Sequence, residues 1–309
     1  MQRMIRFGIL FLILSSLGYR SLKEPGDEKI SQEEFPGHMV NFVPYEANPV
    51  FTGTHADTWD KEIRERGYIL FEDGLYKMWY TGYNPDKAEQ KFLGYATSND
   101  GINWTRYPGN PIFKEKWTED MCVIKNEGKY YMYAEGKNDI AHLLASHYGI
   151  HWNEKGDLII KKTNGEIIPG PYGTPTVWIE NNKWYLFYER NDEAIWLAES
   201  SDHINWTNVQ DTPVISKGPG KYDAGAVAAN QVVKYKGKYY LYYHASSKPM
   251  KSAVEWTSNV AMSTDLIHWV KYDKNPIVKG DHSSPILVYN GNDYRLYTMH
   301  SQVWLYFSK

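Results

Sequence analysis

The chain has 309 residues, a formal net charge of −3 and an aromatic content of 16%, with 26 Tyr and 12 Trp. A slightly acidic balance gives no driving force towards nucleic acid or an anionic membrane surface, so neither is an expected partner. One cysteine, Cys122, excludes an intramolecular disulfide or a cysteine metal cluster. In the apolar run Met121-Cys122-Val123-Ile124 it reads as a buried, inert thiol.

Taken from the N-terminus, Arg3 and Arg6 precede the apolar run Phe7 to Leu14, and the small residues Ser16 and Gly18 suit cleavage after Gly18. Residues 1–18 therefore read as a signal peptide, and the apolar run is too short to span a bilayer comfortably. The expected location is secreted or periplasmic, with no membrane span after cleavage. Residues 19–38 are polar, with Pro25-Gly26-Asp27-Glu28, and read as a linker.

From residue 39 to 309 the chain repeats itself. A turn followed by aromatics runs Asp73-Gly74-Leu75-Tyr76 and returns as Glu127-Gly128-Lys129-Tyr130, Asn181-Asn182-Lys183-Trp184, Lys236-Gly237-Lys238-Tyr239 and Gly291-Asn292-Asp293-Tyr294. The equivalent aromatics are spaced 54, 54, 55 and 55 residues apart. Turn residues between β-branched and aromatic runs signal hairpins. Four hairpins are followed by a Ser/Asp turn and a Trp, as in Ala96-Thr97-Ser98-Asn99-Asp100-Gly101-Ile102-Asn103-Trp104. Four strands in roughly 50 residues make a propeller blade, so five copies predict an all-β, five-bladed β-propeller of four-stranded blades. The last copy ends at Lys309 without its Trp strand. Asn41 to Phe51 matches Asn103 to Phe113 without a gap, so the N-terminal strand is expected to close the fifth blade and remove its open edge.

Propeller sites lie where the inner strands begin and after the second strands. The entries to the inner strands read Trp59-Asp60 with Arg64 and Arg66 in blade one, and Glu119-Asp120 in blade two. Blade three reads Tyr172-Gly173-Thr174-Pro175-Thr176, with no acid; blades four and five offer Tyr222-Asp223 and Asp281-His282. After the second strands come Tyr83, Glu135, Glu189-Arg190, His244 and His300. Asp60 and Asp223 each lie 16 residues before their repeat aromatic. That puts two carboxylates at one level of the propeller, a base-and-acid arrangement suited to glycosidic cleavage; the plain alternative is an Asp capping a turn. A base–acid separation of roughly 6.5–9.5 Å would imply inversion. His282 and Glu189 compete for the proton-donor role, His282 because an imidazole titrates near neutrality. Glu119 and Asp120 suit tuning or hydroxyl binding, and Arg64 and Arg66 an anionic substrate group. Trp59, Tyr222, His244 and His300 complete the expected substrate-binding set. No cofactor is required by this chemistry, although the channel of such a fold suits a structural Ca²⁺.

The segment Phe92 to Trp104 resembles the blade signature of the five-bladed glycoside hydrolases, including families 43, 32, 62, 117 and 130. The resemblance covers about residues 40 to 309. It implies an exo-acting, inverting hydrolase on plant or algal oligosaccharides. In the layout of family 117, Asp60, Asp223 and His282 fill the roles of the two acids and the histidine; in family 43, Asp60 matches the base. Arg64 and Arg66 keep the mannoside phosphorylases of family 130 in view, so a glycoside phosphorylase is the alternative. The absent third-blade acid supports a non-catalytic sugar-binding propeller.

Overall fold

The computed structural model describes residues 34–87, 90–249 and 254–309. The expected signal peptide, and the linker up to residue 33, lie outside them. Five sheets form five blades. Their inner strands are Glu62–Glu72, Glu119–Asn126, Gly173–Glu180, Ala226–Tyr235 and Pro285–Tyr289, and each pairs antiparallel with the strand that follows its hairpin. The hairpin turns are tight because residues such as Gly74, Gly128 and Gly237 sit at positive φ, where a side chain is disfavoured. Among the described residues no helix is long and apolar enough to cross a membrane.

Closure follows the expected register. Phe42, Val43 and Pro44 pair with Ser308, Phe307 and Tyr306, the outer edge of blade five. The side chain of Asn48 then extends this edge, accepting from Leu305 N–H at 2.8 Å and donating to its carbonyl at 2.8 Å. Asn110 treats Tyr95 in the same way in blade one, and Asn275 treats Val260 in blade four. An Asn-Pro pair can end a strand and still cap the ladder, because the amide carries both a donor and an acceptor. Residues Glu34 to His38, at the end of the expected linker, pack on the propeller: Phe35 is buried against Tyr272, and the Tyr240 hydroxyl donates to Glu34 O at 2.6 Å.

Aromatics fill the interfaces between blades. Trp79 of blade one donates to Gly149 O in the Ser turn of blade two at 2.7 Å, and Tyr297 of blade five donates to Gly101 O at 3.0 Å. Three of the four turns are wound around a carboxylate, whereas the blade-two turn has Tyr148 in its place and is held by Ser146 Oγ. Asp100 accepts from Ile102 N, Asn103 N and the Asn103 amide; Asp202 and Asp265 repeat the pattern. The recurrent Trp and Ser/Asp signatures are thus packing and turn features, which accounts for most of the aromatic content.

Candidate active site

The inner strands of the first four blades share a fault in their ladders. Register shifts fall between Arg64 and Tyr68, Glu119 and Cys122, Gly173 and Thr176, and Ala229 and Gln231. Within the first three of these bulges Glu65, Asp120 and Thr174 adopt positive φ, and Ser284 does so at the matching place in blade five. A bulge bends a strand and re-aims a side chain, and non-glycine residues at positive φ cluster at functional sites. The bulges converge on the guanidinium of Arg66, which is wholly buried. It donates to Thr176 Oγ1 and Ala229 O, both at 2.8 Å, to Asn230 O at 3.0 Å, to Pro175 O at 2.8 Å and to Asp120 O. Arg66 therefore knots four blades together through backbone carbonyls. It puts a positive charge where these strands meet, and being wholly buried it is not open to substrate. Among the described residues no group of three or more His, Cys, Asp or Glu is arranged to hold a metal ion.

Around this knot stands a cluster of carboxylates. Asp120 accepts from Arg66 N–H at 3.3 Å. Burial and the nearby Glu65 carboxylate hold its pKa well above the ordinary range, against the pull of Arg66. Glu119 is pushed up to about 7 by burial, opposed by Arg64, whose Nε lies 3.1 Å from its carboxylate. The residue five places after the repeat aromatic is Thr81, Glu135, Glu189, His244 or Met299, and all five are buried. Glu135 accepts from Thr174 N–H at 2.9 Å and is raised well above the ordinary range by burial and by Asp120, Asp139 and Glu189. Glu189 accepts from Asp192 N–H at 2.5 Å and is pushed to about 8, by burial and then by Asp192. Asp192, raised to about 7 by burial, Asp139 and Glu65, completes the set. Gly173 lies between Glu135 and Glu189, and a Cβ there would overlap both carboxylates. Burial and crowding raise the proton affinity of these acids, which suits proton donation to a leaving oxygen.

Asp60 and Asp223 are elsewhere, and they are alike. Asp60 is buried against Arg106 of the outermost strand of blade one, with Oδ2 2.7 Å from Arg106 Nε and 3.0 Å from the Tyr80 hydroxyl. Asp223 is buried against Lys271 of the outermost strand of blade four, at 2.5 Å. Trp59 stacks on Tyr80, and Tyr222 bonds Tyr243 at 3.3 Å. The shared offset of these two acids thus belongs to a repeated staple that ties the entry of a blade to its outer edge. The structure does not bring Asp60 and Asp223 together with the axial acids.

The histidines divide. His244 lies buried beside Asn230, its Nδ1 3.0 Å from the amide nitrogen, and burial with Arg66 and His300 lowers its pKa to about 3. His300 stands 3.6 Å from Glu65 and shares a pocket with His282 in blade five. Arg64 lies half-buried between Glu65 and Glu119. The geometry therefore gathers Arg64, Glu119, Asp120, Glu189, His244 and His300 around the Arg66 knot, with His282 beside His300. Sequence reasoning gave no role to Glu65, Glu135, Asp139 or Asp192. Glu135 was legible from its offset, shared with Glu189; Glu65 needed knowledge of the bulge.

Carboxylates crowded and buried where the inner strands of a five-bladed propeller meet fit a glycoside-active enzyme. The sequence model of glycoside hydrolase family 130, described as β-1,4-mannooligosaccharide phosphorylase, matches residues 66–249. The chain belongs to this family, rather than to the family 117 or 43 layouts considered from sequence. A 1,2-β-oligomannan phosphorylase of Thermoanaerobacter sp. is 26% identical over 67% of this chain and 73% of its own length. A β-1,2-mannobiose phosphorylase of the same organism is 28% identical over 52% of this chain; the chain spans 58% of that relative's length. Among solved structures, a Parabacteroides distasonis protein superposes with a TM-score of 0.75 at 18% identity, covering 90% of this chain and 98% of its own. The β-1,2-mannobiose phosphorylase of Listeria innocua, in complex with β-1,2-mannobiose, gives a TM-score of 0.66 at 16% identity, covering 87% and 97%. A third structure comes from work on hydrolases within this phosphorylase family that target β-1,2-mannosidic linkages in Candida mannan (17% identity, TM-score 0.66, covering 86% and 93%).

Proposed function

We propose that this protein cleaves β-mannosidic bonds of a manno-oligosaccharide at the axial carboxylate cluster, with Asp120 as the proton donor. The observation that carries this is the raised pKa of Asp120, held on a bulge beside the axis. In the first reading, Asp120 protonates the glycosidic oxygen, the C–O bond breaks, and an oxygen of inorganic phosphate bonds to the anomeric carbon. The products are mannose 1-phosphate and the shortened sugar. The phosphorylase relatives support phosphate as acceptor, which favours the alternative over the hydrolase expected from sequence. Half-exposed Arg64 offers phosphate a guanidinium.

One feature of the mouth favours water instead. Glu135 and Glu189 flank Gly173 within a cluster that also holds Glu65, Asp139 and Asp192, and whichever of these carboxyls ionise oppose a phosphate dianion. In its ionised form one of the two glutamates would then take a proton from water as the water oxygen bonds to the anomeric carbon, while Asp120 protonates the leaving oxygen and the C–O bond breaks, releasing mannose. Incubation with β-1,2- and β-1,4-mannobiose, with and without phosphate, separates the readings by product. Mannose 1-phosphate formed only with phosphate supports the first, phosphate-independent mannose the second, and no turnover of any β-mannoside overturns both. Neither reading calls for a cofactor. Export follows from residues 1–18 acting as a signal peptide, and a mature N-terminus at residue 19 is the outcome that supports it.

A further inference from the structure

Blade two buries a histidine of its own. His142 lies in the third strand of that blade, Ala141–Ser146, with its side chain wholly covered. Its Nδ1 stands 2.8 Å from a Glu154 carboxylate oxygen, and its Nε2 3.0 Å from the Trp117 carbonyl oxygen. Both partners are acceptors. A carbonyl has no proton to give, and against burial, which would raise it, His142 and Lys116 hold the Glu154 carboxyl below its ordinary pKa. A ring that meets an acceptor on each side donates from both nitrogens, and is then an imidazolium. The charges around it agree. The outermost strand, Asn153–Asp157, brings Glu154 and Asp157. The blade entry brings Lys116, which pairs with Glu154 at 3.0 Å and also with Asp157. The second strand sets Ala134 across from His142, and the neighbouring Glu135 belongs to the axial cluster. Two carboxylates and one ammonium leave one negative charge for the imidazolium to balance.

We infer that His142 is a positioning residue, an imidazolium clamp on the entry of the strand that carries Glu119 and Asp120. Trp117, whose carbonyl it holds, stands two residues before Glu119 and three before Asp120. The next carbonyl, Thr118 O, accepts from Thr81 Oγ1 of blade one at 3.1 Å. Side chains of two other strands therefore fix consecutive carbonyls just ahead of the bulge that aims Asp120. When the ring loses a proton, one nitrogen presents a lone pair to an oxygen, and that contact turns repulsive. The entry is then released on that side, and Asp120 loses its aim. The inference rests on the reading that makes Asp120 the proton donor, and it couples that donor to the protonation of a group outside the site.

The test pairs nitrogen NMR of the full chain, labelled at histidine, with kcat and KM on β-1,2-mannobiose across pH. The His142 signals are assigned by their absence in His142→Gln. Both ring nitrogens are expected to carry protons at about pH 6, and kcat to fall with little change in KM as the ring titrates. Glu154→Gln keeps the shape and removes the charge that holds the second proton. It should move the titration and the fall in kcat together to lower pH, cutting kcat about fivefold to tenfold at about pH 7 and less than about twofold at about pH 5.5. A loss of structure alone would lower kcat at both. His142→Gln, whose amide still donates to the Trp117 carbonyl, is expected to keep more turnover than a folded His142→Ala. A neutral ring at about pH 6, or a kcat profile that Glu154→Gln does not move, overturns the clamp and leaves the mannoside reading standing. Ring protonation is read without substrate. Failure of the wild-type chain to turn over any β-mannoside overturns that reading, and the catalytic role of the clamp with it.

Discussion

At the scale of single residues, the site is governed by carboxylates that cannot all ionise. Asp120, Glu135, Glu189, Glu119 and Asp192 are each raised, first by burial and then by neighbouring carboxylates, Glu65 and Asp139 among them. Asp120→Asn removes the proton while keeping the shape; kcat is expected to fall about 10²–10⁴-fold with the melting temperature retained. Retained turnover in that variant would remove Asp120 from its role. The same shifts make stability depend on pH. Where a folded pKa exceeds the unfolded value of about 4, the folded state binds more protons, so stability falls as pH rises. The window runs from about 4 to the raised values of about 7 and 8 of Glu119, Asp192 and Glu189. Asp202 and Asp265, held at about 2 by the N–H groups and side chains of their turns or by burial-opposed hydrogen bonding, act oppositely and lose their contribution as pH drops through the acid range. Thermal melts are therefore expected to peak at mildly acid pH and to decline towards pH 8. Glu135→Gln should flatten the alkaline side of that profile, and an unchanged slope would count against the crowding described.

At the scale of elements, the two features that recur across blades do different work. The bulge in the inner strand re-aims a side chain toward the meeting point of the blades, as with Asp120 in blade two. The staple from blade entry to outer strand, Asp60 with Arg106 or Asp223 with Lys271, holds a blade together. Asp60→Asn is therefore expected to act on stability and not on the chemical step. Arg106 keeps a third of its side chain exposed, so loss of the charge costs about 1–3 kcal/mol, read as a drop in the urea midpoint with little change in kcat. A folded Asp60→Asn protein of normal stability and no activity would restore Asp60 to catalysis. Gly173→Ala tests the close approach from the other side. Its methyl group would push Glu135 and Glu189 apart, and turnover should fall sharply with a smaller loss of stability.

At the scale of the whole molecule, the ring closes through Phe42–Pro44 on Gln302–Ser308. Truncation before residue 45 would expose that edge, and loss of a cooperative melt together with aggregation is the expected result. Five blades and this closure were legible in the chain because hairpin turns, β-branched runs and the Asn-Pro caps are local signals repeated at a fixed spacing. The axial ring was half legible: Glu189 stood out by offset, and Glu135 at the same offset drew no role. The common offset of Asp60 and Asp223 was equally legible, but spacing alone does not say whether a carboxylate faces the axis or the outer strand. The sequence by itself determined the architecture, since each repeat carries its own strands and turns. Only the tertiary structure decided the site, because four bulged strands meet at Arg66 and bury acids from three blades side by side. The crowding that raises their pKa values exists only once residues more than 50 positions apart stand in contact.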